Sequence, residues 1–338
     1  MNHKIDYIKI LKIAAGAGLA VVLAEGLGLK YGTSAGVITL LSIQDTKKET
    51  IRVMTLRLCS FLIAFALSWG CFSLFGYGAL ALSIFLLLFS GVSFALQMQE
   101  GISVNTVLMT HFMAEQSMSP RNAGNELALL TVGAGIGVLL NLYIPGKEKQ
   151  IRAKQQQIEA QIKGILGVMA EILSASAPSG EASVEGLCLS LEDLGTELKA
   201  GEKNAYEEME NKLLTETRYY LRYMNMRQMQ AAVLGQIAEN LSHLSALPSQ
   251  SERIACFIGQ IRDSFHEYNN AVALLGELEI VKDDMRKQPL PDSRAEFESR
   301  AVLYRILLEL EQFLRIKMLF VEELSEEDIK KFWKASGV

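Results

Sequence analysis

Seven residues between positions 99 and 115 could do chemistry at membrane depth. In the stretch QEGISVNTVLMTHFMAE, Gln99, Ser103, Thr106 and Thr110 recur at spacings of four, three and four. At about 100° per residue they form one narrow polar stripe on a helix. Glu100 and His111 share a second meridian, with Glu115 close to it, and a rise of 1.5 Å per residue separates Glu100 from His111 by roughly 16 Å. Carboxylates and an imidazole inside an apolar segment are costly unless they serve an ion or proton pathway, and imidazole is the side chain that ordinarily titrates nearest neutral pH. The stripe is therefore expected to line a polar pathway, with Glu100 and His111 as proton or substrate sites. The competing reading puts Glu100 and Glu115 in water at the two interfaces and gives His111 only a hydrogen bond to a neighbouring helix. Glu25, Asp45 and Glu126 lie near the ends of apolar segments, where charge is cheap, and are expected to be interfacial.

A membrane domain must position these groups. The 338 residues are 50% hydrophobic with a mean hydropathy of +0.20, low for a chain wholly in lipid and high for one wholly in water. The average hides two halves. Residues 1–146 hold 9 Lys+Arg against 7 Asp+Glu, and residues 147–338 hold 24 against 31. The boundary falls at Pro145-Gly146, where an apolar segment meets a helix breaker and the charged run KEKQIRAK begins. Apolar segments at 10–29, 31–43, 53–75, 79–96, 102–113 and 127–144 predict six membrane helices. The second is short, and charge argues that it crosses. If it did not, Lys47, Lys48, Arg52 and Arg57 would sit on the outer side, against the positive-inside bias. With six crossings, Lys4, Lys9 and Lys12, the loop Gln44–Lys48 and the run Lys147–Lys154 share one face. Both termini are then cytoplasmic in the cell membrane, with Lys147–Lys154 at anionic headgroups of the membrane lipids. No small-residue cleavage site follows the N-terminal lysines, so the first span is expected to be retained. Gly32 and Gly36 form a G-x-x-x-G motif, as do Gly133 and Gly137. Such pairs let helices approach closely, within one subunit or across a dimer.

From residue 147 the pattern is helical throughout and predicts an antiparallel all-α bundle. Ile151, Ile158, Ile162, Ile165, Met169 and Ile172 form one amphipathic face. Helices are expected at 184–200, ending at Gly201, and at 202–247, ending at Pro248. Ile254, Ile258, Ile261, Phe265, Tyr268, Val272 and Leu275 alternate spacings of four and three, which predicts one uninterrupted coiled-coil-like helix. A fifth helix is expected to carry Leu303, Leu307, Leu310, Leu314 and Val321, followed by a capping box from Ser325 to Asp328. The aromatic and Met stripe of TRYYLRYMNMRQMQ reads as core.

Other chemistries find no support. The four cysteines have neither metal-ligand nor redox spacing. Gly-rich phosphate loops, H-E-x-x-H and paired nucleophile and base are absent, so no enzyme, cofactor or metal is expected. The second half is acidic, against nucleic-acid binding.

The Gly/Ala-rich first span, the short second span SAGVITLLSIQDTKKETI, the basic entry RVMTLRL into the third and the three spans after it resemble the aromatic acid exporter family. This belongs to the fusaric acid resistance superfamily, and its Gram-positive branch carries a C-terminal cytoplasmic helical domain. The resemblance implies proton-coupled efflux of small aromatic acids or related amphipathic compounds. It also implies a homodimer, since larger relatives carry two membrane halves. An organic-anion channel and a membrane-anchored scaffold are the alternatives.

Overall fold

A computed structural model describes residues 7–174, 184–213 and 218–333. Among them helices are the only regular structure, without a strand. The chain divides into two compact units, Met1–Gly146 with Glu210–Thr215, and Lys147–Met209 with Glu216–Val338.

The first unit contains α1 (Tyr7–Gly26), α2 (Gly32–Ser42), α3 (Lys47–Phe75), α4 (Ala79–Ala95), α5 (Ile102–Glu115, entered through a 3-10 turn at Gln99–Gly101) and α6 (Pro120–Asn141). Local chemistry sets several ends. The Thr46 side chain accepts from the Glu49 N–H at 3.3 Å and opens α3. Ser119 accepts from the Asn122 N–H at 3.3 Å, and Pro120 occupies the first turn of α6. Three helices, α1, α3 and α6, of 20, 29 and 22 residues, are long and apolar enough to cross a membrane. The 17-residue α4 is also apolar. By contrast α2 has 11 residues and α5 has 14, rises of only about 16 and 21 Å, short of a hydrocarbon core roughly 30 Å thick.

Alanines pack inside this unit beside a buried cluster of phenylalanines, while many leucines face outward. Ala20, Ala24, Ala35 and Ala64 are fully buried while Leu62, Leu74, Leu87 and Leu139 are exposed. That arrangement suits an apolar solvent, in which helices associate through close packing rather than by hiding leucine. Helix α2 packs against both α1 and α6. A Cβ added at Gly36 would lie 3.0 Å from the Ala17 carbonyl oxygen, and one at Gly32 would meet Glu25 at 3.1 Å. At Gly133 it would lie 2.6 Å from the Ala35 oxygen, and at Gly137 2.7 Å from the Ser42 Cβ. All four glycines of the two motifs thus face other helices of the same chain.

The second unit is a helical bundle of α7 (Glu148–Leu173), α8 (Val184–Asn211), α9 (Tyr219–Ser242), α10 (Gln250–Asp263), α11 (Val272–Arg286) and α12 (Arg294–Glu322), closed by the short segments Glu326–Asp328 and Ile329–Trp333. The residues Ile151, Ile158, Ile162, Ile165 and Met169 of α7 are buried, as are Leu303, Leu307, Leu310 and Leu314 of α12. Tyr219, Tyr220, Tyr223, Met224 and Met226 join the same core. Helices α9 and α12 run antiparallel, shown by hydrogen bonds from Gln230 to the Phe313 carbonyl at 2.9 Å and from Asn240 to Glu309 at 2.7 Å.

Three helix expectations need correction, one being the single helix expected over 202–247, which is divided between the end of α8 and α9. Helix α8 continues through Gly201 to Asn211, because Gly201 serves packing: its Cβ would lie 2.9 Å from the Met224 sulfur. The regular heptad from Ile254 to Leu275 is broken between Asp263 and Val272. There the Asn269 amide donates to the Ser264 carbonyl and its oxygen accepts from the Ala271 N–H, both at 2.7 Å. Such side-chain bonds compete with helical ones, and Ala271 takes a left-handed φ of 61°. Apolar spacing alone could not reveal this competition.

Gly133→Ala and Gly135→Ala should differ sharply, since a Cβ at Gly135 meets nothing within 4 Å. Overpacking at Gly133 is expected to cost about 1–3 kcal/mol, whereas Gly135→Ala should be neutral or stabilising by up to about 1 kcal/mol. Thermal unfolding of the two variants in detergent checks the contrast.

Candidate functional site

Two buried polar layers cross the first unit, one at each end of α2. The first gathers around His111. Its Nδ1 lies 2.6 Å from Glu126 Oε2 on α6, and its Nε2 lies 3.3 Å from the Ser34 hydroxyl on α2. His111 is 9% exposed and Glu126 2%. The Tyr31 ring stacks on the imidazole, centroids 4.1 Å apart and 10° from parallel. Tyr31 holds a left-handed φ of 59° directly before α2, a conformation that costs a bulky residue on the order of 1–3 kcal/mol and recurs at functional sites. Its hydroxyl donates to Glu115 Oε1 at 3.1 Å, and Glu115 pairs with Lys30. Asn125 completes the layer. Its amide donates to Glu126 Oε1 at 2.9 Å and to the Lys30 carbonyl at 3.2 Å, and its oxygen accepts from the Lys30 N–H at 2.8 Å.

Chemically, this layer can hold and pass a proton. Imidazole between a carboxylate and a hydroxyl has both ring nitrogens engaged. With Nδ1 donating to Glu126, Nε2 can accept from Ser34 or, once protonated, donate to it. The hydroxyl rotates to suit either state, so a proton can arrive or leave without moving a helix.

The second layer centres on Arg57, ten residues into α3 and 4% exposed. Its Nε donates to the Glu100 carbonyl at 3.1 Å, Nη1 to the Ser42 hydroxyl at 2.8 Å and Nη2 to the Leu41 carbonyl at 3.1 Å. The guanidinium thereby meets the Leu41 carbonyl and the Ser42 hydroxyl at the end of α2, where the helix dipole favours a cation. Among the described residues no carboxylate lies within ion-pair distance of it. Asn105, fully buried, donates to the Arg57 carbonyl at 3.1 Å and to Ser60 at 2.7 Å, while its own oxygen has no partner. Along α5, the layers at Gly101 and His111 stand about 15 Å apart.

The candidate residues read from the sequence separate in the structure. His111 and Glu115 enter the first layer, linked through Tyr31. Glu100 does not join them. Its side chain is exposed, its backbone carbonyl accepts from Arg57, and its carboxylate acts on the Arg57 charge without forming an ion pair. The stripe is mostly turned outward: Gln99 and Ser103 are exposed, Thr106 and Thr110 are half-buried, and the Thr106 hydroxyl is itself buried without a partner. The buried polar face of α5 is instead Asn105 and His111. Glu126 and Arg57 escaped the sequence reading for different reasons. Glu126 meets His111 across two helices, which periodicity within one helix cannot show. Arg57 lies in the basic entry of the apolar segment 53–75, where sequence counts it only as an orientation signal and cannot show the partners that bury it. Among the described residues no cluster of His, Cys, Asp and Glu is placed to hold a metal ion.

Residues 4–144 match the family described as "Aromatic acid exporter family member 1", and residues 148–318 match "Putative aromatic acid exporter C-terminal domain". "Uncharacterized protein YqjA" of Bacillus subtilis (strain 168) is 31% identical over 318 residues, covering 94% of this chain and 96% of that protein. A crystal structure of a "putative membrane protein" from Clostridium difficile 630 is 27% identical with a TM-score of 0.44, covering 51% of this chain and 99% of that one.

Replacing Arg57 by Leu removes donors from the Glu100 carbonyl, the Ser42 hydroxyl and, beside Gln44, the Leu41 carbonyl, and is expected to cost about 2–3 kcal/mol of stability. Glu100→Gln, which leaves the carbonyl in place, should stay within about 0.5 kcal/mol of the unmodified chain. Detergent unfolding curves compare them; equal midpoints for both variants would contradict this assignment of Arg57.

Proposed function

The chain belongs to the aromatic acid exporter family, and on that premise we propose that it exports small aromatic carboxylates across the cell membrane in exchange for protons. The observation that carries this reading is the buried pair of His111 and Glu126, 2.6 Å apart with Ser34 on the far ring nitrogen. Ionisable groups buried in a membrane helix bundle mark ion or proton routes by default. In our reading the proton enters past Lys30 and Glu115, resides on the His111–Glu126 pair and leaves toward the cytoplasm. The cargo carboxylate is drawn from the cytoplasm by Arg57, a buried cation without a carboxylate of its own. Positive-inside charge supports cytoplasmic termini. We further propose a homodimer in which a second copy covers the outward polar stripe of α5, since lipid is a poor solvent for Gln99 and Ser103.

The test is efflux from proteoliposomes with the voltage held at zero by potassium and valinomycin and a proton gradient imposed. Cargo should be an aromatic dicarboxylate such as phthalate, whose neutral form does not leak readily, with empty liposomes as background. Proton-driven efflux is expected from the unmodified chain and from Glu100→Gln. His111→Asn and Glu126→Gln should lose at least tenfold in rate, about 1.4 kcal/mol of barrier, while remaining folded. Efflux that ignores the proton gradient at zero voltage, and follows a voltage set by an imposed potassium gradient, would instead support an anion channel built on Arg57.

A further inference from the structure

Helix α12 has two apolar faces, and the core of its unit uses one of them. Leu303, Leu307, Leu310 and Leu314 are buried. Phe297, Ala301, Tyr304 and Leu308 share another side of the helix, at spacings of four, three and four, and all four are exposed, Phe297 to 61%. A helix on the surface of a bundle needs a single apolar stripe, and a second one with this alternation has the form of a helix-pairing seam. Beside it lies an open cleft of about 360 Å³, bordered by Met285, Pro291 and the seam residues Phe297, Ala301 and Tyr304, along with Arg286 and Arg300. Both arginines already have carboxylates, Asp283 at 2.9 Å and Glu296 at 2.5 Å. What the face offers is therefore apolar surface, and contiguous exposed surface of that kind marks an interaction site.

The charges along the seam say what covers it. Glu298 and Arg305 flank it on one edge, and the side chain of each is more than half exposed. Each has a neighbour within its own helix, Arg294 at 2.8 Å and Glu309 at 3.4 Å. A second α12 laid antiparallel across the seam sets Phe297 against Leu308 and Ala301 against Tyr304. Like edges meet in an antiparallel pair, so Glu298 of each copy comes beside Arg305 of the other, twice by symmetry. A parallel pair joins unlike edges and brings Arg300 against Arg305, a like-charge contact that disfavours it. We propose that α12 docks antiparallel onto α12 of a second copy of this chain, with Phe297, Ala301, Tyr304 and Leu308 as the seam and the Glu298–Arg305 pairs fixing its direction. Copies anchored in one membrane meet at a raised effective concentration, so a short seam suffices. The contact lies wholly within the second unit and rests neither on the α5 contact proposed above nor on proton coupling.

The experiment uses the full chain in proteoliposomes, with the exposed cysteines Cys59, Cys188 and Cys256 replaced by alanine. Ala301→Cys lies beside the two-fold axis of the antiparallel pair, and a short bis-maleimide should join it to its copy. Glu322→Cys, exposed on the same face at the end of α12, would stand roughly 60 Å from its copy and should not be joined. A parallel pair would join both.

Charge exchange then tests the flanking pairs. Glu298→Arg and Arg305→Glu should each slow the cross-linking of Ala301→Cys about tenfold, because two contacts per dimer turn from attraction to repulsion. The two substitutions together should restore it. The double variant carries both local changes, so its recovery separates lost pairing from lost folding. Cross-linking at Ala301→Cys and not at Glu322→Cys, weakened by each single exchange and recovered by the double one, supports the seam. Cross-links at both positions, none at Ala301→Cys, single exchanges without effect, or a loss that the double exchange does not recover would each overturn it. Where Ala301→Cys gives no cross-link, a polarity-sensitive dye attached there tells whether lipid covers the face instead.

Discussion

Helix α2 is too short to carry its ends out to water, and the first unit depends on how those ends are satisfied. Eleven residues rise about 16 Å, so a helix held within hydrocarbon must find partners for its terminal carbonyls inside the protein. At one end Arg57 and the Gln44 amide both donate to the Leu41 carbonyl, and Arg57 also donates to the Ser42 hydroxyl. At the other, the chain enters through the left-handed Tyr31, whose ring covers His111 and whose hydroxyl reaches Glu115. The glycines of α2 and α6 then let neighbouring backbones close around it, at distances that leave no space for a methyl group. Structural need and chemical opportunity coincide here, because the groups that terminate α2 are the polar groups available to a cargo or a proton.

Much of this fold is legible in the residues. Apolar runs, basic loops and amphipathic seams locate the helices of both units, and the buried faces of α7 and α12 are those that the periodicity of isoleucine and leucine marks. Legibility ends where the deciding partner lies on another helix. Period alone placed Gln99, Ser103, Thr106 and Thr110 on a common stripe, but a stripe has no sign: it says which residues share a face and not whether that face looks in or out. Asn105 and His111, one step around the same helix, are the buried ones. Likewise Glu126 near the start of α6 looked interfacial by position, yet α5 brings His111 onto it. The heptad around Phe265 failed for a local reason, since asparagines two and three residues before α11 bond the backbone themselves.

The two layers divide the work that an exporter of organic acids would need. One presents a buried cation with no carboxylate in ion-pair contact, the nearest influence being the exposed Glu100, and the other a buried carboxylate bonded to an imidazole, about 15 Å away along α5. Opposite charges kept apart in a low-dielectric interior each raise the affinity of the site for what is missing, an anion in the first case and a proton in the second.

The claim that one buried pair exchanges protons with the cargo is tested most directly by watching the protons. Proteoliposomes loaded with phthalate and an entrapped pH dye, with no proton gradient imposed and the voltage held at zero, should show the loaded lumen acidify as the aromatic acid leaves. Phthalate leaving at the same rate with no change in internal pH would contradict the account.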